Sequence, residues 1–303
     1  VKRLEIVVLN WNGLEDTRAL LRTLRDCRAP AGWSIGVLVV DNGSRDGSPA
    51  ALAAEFPTAR VLALEENRRF AGGNNAGIQD ALGRGADAIM LLNNDTEADP
   101  ALCERLLLAL EQDPAAGAAA PLIYFAPPSP VIWYAGGRCV PEFGFTAHRG
   151  VRTRDDGRFR AVERTGYLTG CCLLATRAAW ERVGLLDERY YIYAEDTDWC
   201  LRARAAGLRL LFVPTARLWH KVSSTTGAAS YFKIYQRSRA NLELFARHTR
   251  GLGRLTWGPA YAVQQAALAA WLIATGNFAA ARAVPRAIWD AARGRPAGEA
   301  ART

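Results

Sequence analysis

Ala88-Ile89-Met90-Leu91-Leu92-Asn93-Asn94-Asp95-Thr96 is the stretch that decides the fold. Its first five residues are apolar without a break, the pattern of a strand covered on both faces. It then turns abruptly polar and ends on a carboxylate. Upstream, short apolar runs at 6–9, 35–40 and 61–64 read as further strands, the second ending at Asp41. Amphipathic stretches between and after them predict helices over 15–25, 73–82 and 101–111, followed by a strand at 118–124. Strands alternating with helices predict an α/β protein whose sheet is mostly parallel, with right-handed crossovers.

Downstream the pattern breaks. Pro127-Pro128-Ser129-Pro130 marks a turn, and 149–164 is charged and short of large apolar residues, so hairpins and a mobile loop are expected over 127–166. Regular structure resumes with a strand at 171–175, a helix at 177–183, a helix opened by Glu195-Asp196 and a strand at 210–213. A long helix over 231–248 and two Ala-rich helices over 256–275 and 278–293 complete the chain. The expected organisation is a domain over 1–227, with a nucleotide half at about 1–125 and an acceptor half at about 126–227, then a basic helical extension over 228–303.

The 303 residues suffice for a full core, and 50% hydrophobic against 22% charged residues excludes a disordered chain. The net charge of +8 is unevenly placed: residues 231–303 hold 11 basic and 3 acidic side chains, while the preceding residues balance. Six cysteines (Cys27, Cys103, Cys139, Cys171, Cys172, Cys200) show no CxxC spacing and read as reduced and buried. The apolar run after Val1-Lys2-Arg3 is too short for a signal peptide, which predicts a cytoplasmic protein.

In an open parallel sheet, ligands bind beyond the carboxyl ends of the strands. Four polar groups fall there: Asn10-Trp11-Asn12-Gly13, Asp41-Asn42-Gly43-Ser44, Glu66-Asn67-Arg68-Arg69-Phe70-Ala71-Gly72-Gly73-Asn74-Asn75, and Asn93-Asn94-Asp95. Asp41 is placed to accept from the imide N–H of a pyrimidine, or simply to close an Asx turn. Gly72 and Gly73 let backbone approach a ligand, with free N–H groups of the next helix offered to an anion; Asn74 as a plain helix cap is the alternative. No GxGxxG follows the first strand, against a dinucleotide dehydrogenase. Asp95 is placed to hold Mg2+ or Mn2+, since Asp99 already serves to cap the next helix. His220 is a second metal ligand or a packed structural residue. In Glu195-Asp196-Thr197-Asp198, helical angles turn Asp196 the same way as Trp199, Cys200 and Ala203, predicting an inward base kept ionised by the helix dipole. Asp198 and Arg202 are spaced as a surface ion pair, and Glu195 and Asp198 are supporting or acceptor-binding candidates.

These motifs, together with Gly184-Leu185-Leu186-Asp187-Glu188, resemble family 2 glycosyltransferases of the GT-A fold, particularly the bacterial rhamnosyltransferase-like branch, over roughly residues 4–244. The resemblance implies an inverting single displacement from a nucleoside diphosphate sugar (dTDP- or UDP-linked, dTDP-rhamnose among them) to a hydroxyl of a glycan or lipid-linked glycan. It implies Asp41 on the pyrimidine, Asp95 on the metal, Asp196 as base and His220 on metal or diphosphate. Asn10, Asn12, Asn67, Arg69, Gly72, Gly73, Asn74, Asn94 and Gly170 fall at substrate-lining positions. Asn93 stands where the family often has an acid, and Arg69 where it often has glycine. Mechanistically, Asp95 and Asp196 must converge on a common cleft.

Two readings stand for the basic tail: contact with the anionic inner face of the cell membrane, or a helical pair packed on the catalytic domain or across a homodimer. No nucleic-acid motif accompanies the positive charge. Rival functions are a sugar nucleotidyltransferase, which should show an Arg-containing Gly-rich loop after the first strand, and a non-catalytic glycan-binding protein, which need not keep both Asp95 and Asp196.

Overall fold

A computed structural model describes residues 1–127, 129–222 and 229–297. Pro128 of the expected turn and the expected boundary between 227 and 228 lie outside these. Two compact units form the chain: one from Val1–Arg138, His148–Leu186 and Trp199–Val222, the other from Cys139–Ala147, Asp187–Asp198 and the described part of Ser223–Thr303.

In chain order the elements are β1 (Lys2–Asn10), α1 (Leu14–Leu24), β2 (Trp33–Asp41), α2 (Ser48–Glu55), β3 (Ala59–Ala63), α3 (Arg69–Gly83), β4 (Ala88–Asn93), β5 (Thr96–Ala98), α4 (Leu102–Gln112), β6 (Ala116–Phe125), β7 (Ile132–Tyr134), β8 (Gly137–Val140), a 3₁₀ turn (Pro141–Phe143), β9 (Phe145–His148), β10 (Glu163–Arg164), β11 (Cys172–Thr176), α5 (Arg177–Val183), α6 (Glu195–Ala205), β12 (Arg209–His220), α7 (Tyr231–His248), α8 (Gly253–Ala274) and α9 (Phe278–Ala292).

The first unit is built on one sheet ordered β10-β12-β6-β11-β4-β1-β2-β3, with β5 beside β12 and β7 beside β6. β1, β2, β3 and β4 are mutually parallel, as the apolar runs predict. β11 departs from that expectation and runs antiparallel to both β4 and β6. Ile6, Val7, Val8, Val39, Val40 and Ile89 have no or almost no exposed surface, consistent with helices on both faces. The strand order runs from β1 to β2 and β3 on one side and to β4 on the other, which makes the carboxyl end of β1 the switch point of the sheet.

β12 is longer than the expected 210–213 strand. Its pairing with β6 slips between Val213 and Arg217, so Pro214, which lacks an N–H, sits at an irregularity and the strand continues to His220. In the expected hairpin region, β8 and β9 pair with each other. In the second unit, α7, α8 and α9 pack around Ile234, Tyr235, Leu272, Ala280, Val284 and Ala287.

Candidate active site

Strand register brings the polar loops to one edge. Asn10 lies opposite Asp41, and Leu9 opposite Asn93, so β1, β2 and β4 end at the same level. The Asn10 side chain donates to Asp41 Oδ2 at 2.7 Å and accepts from Thr17 Oγ1 at 2.8 Å. Thr17 Oγ1 in turn accepts from Asn94 Nδ2 at 3.0 Å. Asp41 Oδ1 accepts from the Ser44 N–H, three residues on, at 2.9 Å, which holds the carboxylate against its own loop. A carboxylate has further acceptor sites beyond these two. Asn12, at φ 51°, clips the β1 and β2 loops together: its N–H donates to Ser44 Oγ, and its Oδ1 accepts from the Arg45 N–H, each at 2.8 Å.

Asn42 pins the loop after β3. Its Nδ2 donates to Asn67 Oδ1 and to the Arg69 carbonyl, both at 3.0 Å, and its Oδ1 accepts from the Arg68 N–H at 2.9 Å. Arg69 is held at φ 63°, where a side chain costs about 1 kcal/mol. The expected helix start at 73 is corrected: α3 begins at Arg69, and Gly72, Gly73 and Asn74 are buried within it. Asn74 is no cap; its Nδ2 donates back to the Phe70 carbonyl at 2.9 Å. A Cβ at Gly73 would stand 2.5 Å from Leu9 Cδ1 and 3.1 Å from Asn42 Nδ2, so close packing of helix on sheet demands glycine there.

Beyond β4 the chain turns at Asn94-Asp95 into β5, whose Thr96 lies opposite His220 of β12. The Lys221 N–H donates to the Asp95 carbonyl at 2.9 Å. That register sets Asp95 Oδ1 3.1 Å from His220 Nε2, both side chains almost wholly buried. The Trp133 ring stands edge-on to His220 and to His148, each at 4.6 Å between centroids. His220 Nδ1 is buried without a hydrogen-bond partner among the described residues. No cluster of three or more His, Cys, Asp or Glu ligands occurs among the described residues. One carboxylate oxygen beside one imidazole nitrogen fits a divalent cation that takes its other ligands from phosphate oxygens and water. Gly170 is buried in the turn before β11, where the Asn93 N–H donates to the Cys171 carbonyl at 2.9 Å.

The acidic signal of α6 lies in the second unit. Tyr193 and Ala194 both adopt positive φ, 71° and 66°, just before the helix. Glu195 is 5% exposed, and its Oε2 is buried without a hydrogen-bond partner among the described residues. Burial, and next the charge of Asp196, push the Glu195 carboxyl up to about 8. Asp196 is half-buried, and its Oδ1 accepts from the Thr197 N–H at 2.6 Å and the Thr197 hydroxyl at 3.1 Å. Asp198 is completely buried; His248 Nε2 lies 2.7 Å from its Oδ1, and the Tyr190 hydroxyl donates to the same oxygen at 3.4 Å. Arg247 reaches Asp198 at 3.5 Å and also pairs with Asp187. Hydrogen bonds from Arg189 and Arg247 hold the Asp187 carboxyl well below its ordinary value.

A family model described as Glycosyl transferase family 2 matches residues 6–184. An N-acetylglucosaminyl-diphospho-decaprenol L-rhamnosyltransferase of Mycobacterium tuberculosis is 32% identical over 226 residues, 67% of this chain and 73% of that protein. The chain belongs to glycosyl transferase family 2. It is a glycosyltransferase of the rhamnosyltransferase-like branch. Two solved structures share its architecture at low identity. GalNAc-T7 with UDP, GalNAc and Mn2+ matches over 81% of this chain and 48% of that one, with a TM-score of 0.63 and 15% identity. The mannosyltransferase PcManGT from Pyrobaculum calidifontis, in complex with GDP-Man and Mn2+, matches over 95% and 86%, with a TM-score of 0.59 and 16% identity. The glycosyltransferase thus has the expected GT-A fold.

Two sequence expectations for this glycosyltransferase are corrected. Asp198 is not at the surface: it is buried against His248, and Arg202 donates to the carbonyls of Val183 and Leu185. In the first turn of α6 the side assigned to water is not exposed, and the end of α7 covers Asp198 there. Glu195 and Asp198 are the enclosed residues, and Asp196 is the more accessible one. Thr17, Asn42 and His248 were missed as site residues. Asn42 had a signal, standing beside Asp41; Thr17 and His248 lie in helical stretches that mark nothing.

Proposed function

We propose that the protein is an inverting glycosyltransferase that moves a sugar from a dTDP- or UDP-linked donor, with dTDP-rhamnose the first candidate, to a hydroxyl of a lipid-linked glycan at the cytoplasmic face of the membrane. The Asp95–His220 pair beyond β4, on the same sheet as the Asn10–Asp41 cluster, carries the reading. It supports a donor whose base lies near Asp41 and whose diphosphate reaches Asp95. Both the rhamnosyltransferase relative and the Mn2+ complexes of the structural neighbours support it too.

Each residue has a stated task in this proposal. Asn10 and Ser44 hold the Asp41 carboxylate toward the pyrimidine imide. Asn42 and Asn67 hold the 66–69 loop so that the Arg69 guanidinium meets the diphosphate. Asp95 and His220 would hold Mg2+ or Mn2+, which when bound offsets the charge growing on the leaving diphosphate. Asp196 takes the acceptor proton as the oxygen attacks the anomeric carbon from the face opposite the leaving group, which inverts that carbon. Glu195, uncharged at neutral pH, leaves Asp196 as the ionised member of the pair. No covalent sugar–enzyme bond forms; positioning and electrostatics carry the rate. Residues 1–227 are the catalytic domain in this scheme.

A thermal-shift panel of nucleoside diphosphate sugars tests the proposal. A dTDP- or UDP-sugar should raise the melting temperature more with Mg2+ or Mn2+ than without, because a ligand of the native state stabilises in proportion to its occupancy. No shift with any pyrimidine donor in either metal overturns it.

A further inference from the structure

Helix α8 packs Leu272 inward and turns a second apolar face outward. No charged side chain occurs between positions 255 and 281. At about 100° per residue, Leu255, Pro259, Ala262, Val263, Ala266 and Ile273 share one face. All six are exposed, Leu255 by 74% and Val263 by 70%. The helix's polar groups point the other way. Tyr261 donates its hydroxyl proton to the Ser238 carbonyl at 2.7 Å, and Gln265 Oε1 accepts from Ser238 Oγ at 2.8 Å. Gln264 Nε2 donates to the Phe143 carbonyl at 2.8 Å. A helix facing water carries charged and polar residues on its outward face, which this one lacks.

Helix α9 carries the charge that α8 lacks. Its inward face is Ala280, Ala283, Val284 and Ala287, packed on Ile234 and Tyr235 of α7. Its outward face presents Phe278, Arg282, Arg286, Trp289 and Arg293, three arginines among two aromatic rings. The Arg293 guanidinium lies 4.1 Å from the centre of the Trp289 ring. Inward faces of both helices meet α7, so both outward faces look away from it. The described acidic residues of this region, Glu243 and Asp290, are already ion-paired with Arg239 and with Arg286 and Arg295.

We propose that the outward faces of α8 and α9 form a docking surface for an anionic phospholipid bilayer, on which the two helices lie flat. Apolar side chains of α8 enter the boundary between headgroups and acyl chains, and the arginines of α9 extend to the anionic headgroups. Trp271 and Trp289, 57% and 53% exposed, suit that boundary, where an amphipathic ring is at ease. No helix among the described residues is long and apolar enough to cross a membrane, so the contact is peripheral. A second copy is the poorer occupant: burying this surface against itself would enclose the α9 arginines with no exposed acidic side chain on α8 or α9 to pair with them. The surface rests on the proposed lipid-linked acceptor only for its purpose; its chemistry stands on these two helices.

Flotation of the full chain tests it, using phosphatidylcholine vesicles with and without about one third phosphatidylglycerol. The protein should float with the anionic vesicles only, less at high salt, and its tryptophan emission should shift to the blue on binding. Val263→Glu and Arg282→Glu, both at exposed positions, should each lower partitioning about tenfold with an unchanged melting temperature. Three results overturn the proposal: no flotation of the unaltered chain, flotation unchanged in both variants, or a lipid-free dimer that Val263→Glu dissociates. The donor-induced melting shift is read on the same samples. Lost flotation with that shift intact removes the docking surface and leaves the glycosyl-transfer proposal standing.

Discussion

His248 Nε2 stands 2.7 Å from Oδ1 of Asp198, a carboxylate with no exposed surface. One residue ends α7 and the other lies in the first turn of α6, two residues from Asp196. The contact ties the end of a long helix to the acidic turn. A buried carboxylate that loses a partner keeps its desolvation cost, so His248→Ala should destabilise by about 3 kcal/mol. The cost stays moderate because Arg247 and Tyr190 also face Asp198. A double-mutant cycle with Asp198→Asn, read by urea unfolding, should give a coupling above about 1 kcal/mol. Additive losses would show the contact to be idle.

Asp196→Asn removes a proton acceptor with little change of shape. Turnover should fall by on the order of 10²–10⁴ while donor affinity holds, since Asp196 acts on the acceptor hydroxyl. Calorimetry and product formation measured side by side decide it, and near-normal transfer takes Asp196 out of the mechanism. Asp95→Ala should behave oppositely. Donor binding in the presence of Mg2+ or Mn2+ should weaken at least tenfold, and the difference between metal and chelator should vanish. Donor affinity that still responds to metal in the variant contradicts the assignment.

Packing of α3 on the sheet sets up a paired prediction from one helix. A Cβ at Gly77 would meet Val7 Cγ1 at 2.4 Å and Val40 Cγ2 at 2.9 Å, whereas nothing lies within 4 Å of one at Gly83. Gly77→Ala should therefore cost about 1–3 kcal/mol, by forcing helix and sheet apart. Gly83→Ala should gain about 0.5 kcal/mol, by restricting the unfolded chain. Urea denaturation of the two variants gives both signs in one experiment.

The elements that the sequence announced most clearly are those whose local signals agree with one another. α7 runs from 231 to 248 as expected, with Ser230 capping through the Lys233 N–H. The parallel strands were legible because both their faces are buried, which leaves an unbroken apolar run. β12 was truncated at Pro214, since the strand survives that residue only through a shifted register with β6, which is a property of the partner. Gly72-Gly73 reads as a loop because glycine weakens a helix in isolation, while the reason for glycine at 73 is a leucine on β1. In the candidate site, the carboxylates were visible and their surroundings were not. Helical angles assign Asp198 to water; a histidine 50 positions further on, with no sequence mark, covers it.

Glu195 supplies a pH dependence with a definite sign. Burial and the neighbouring charge of Asp196 raise its carboxyl from the ordinary 4.5 to about 8 in the folded chain. Between those values the native state holds a proton that the unfolded chain releases, so stability falls as pH rises. Below about pH 4.5 both states are protonated, and the contribution is fully present; above about pH 8 both are ionised, and it is gone. Glu195→Gln keeps the uncharged shape at every pH and should remove this slope. Melting curves at pH 5 and pH 8 should differ less in the variant, with a free-energy difference on the order of a few kcal/mol. Transfer should respond in the same direction, because a charged Glu195 would repel the proton-accepting charge on Asp196 and disturb the turn that holds it. Activity of the unaltered chain should then decline toward pH 8 while the Gln variant holds its rate. An equal decline in both would assign the alkaline limb to another group and return Glu195 to a purely structural role.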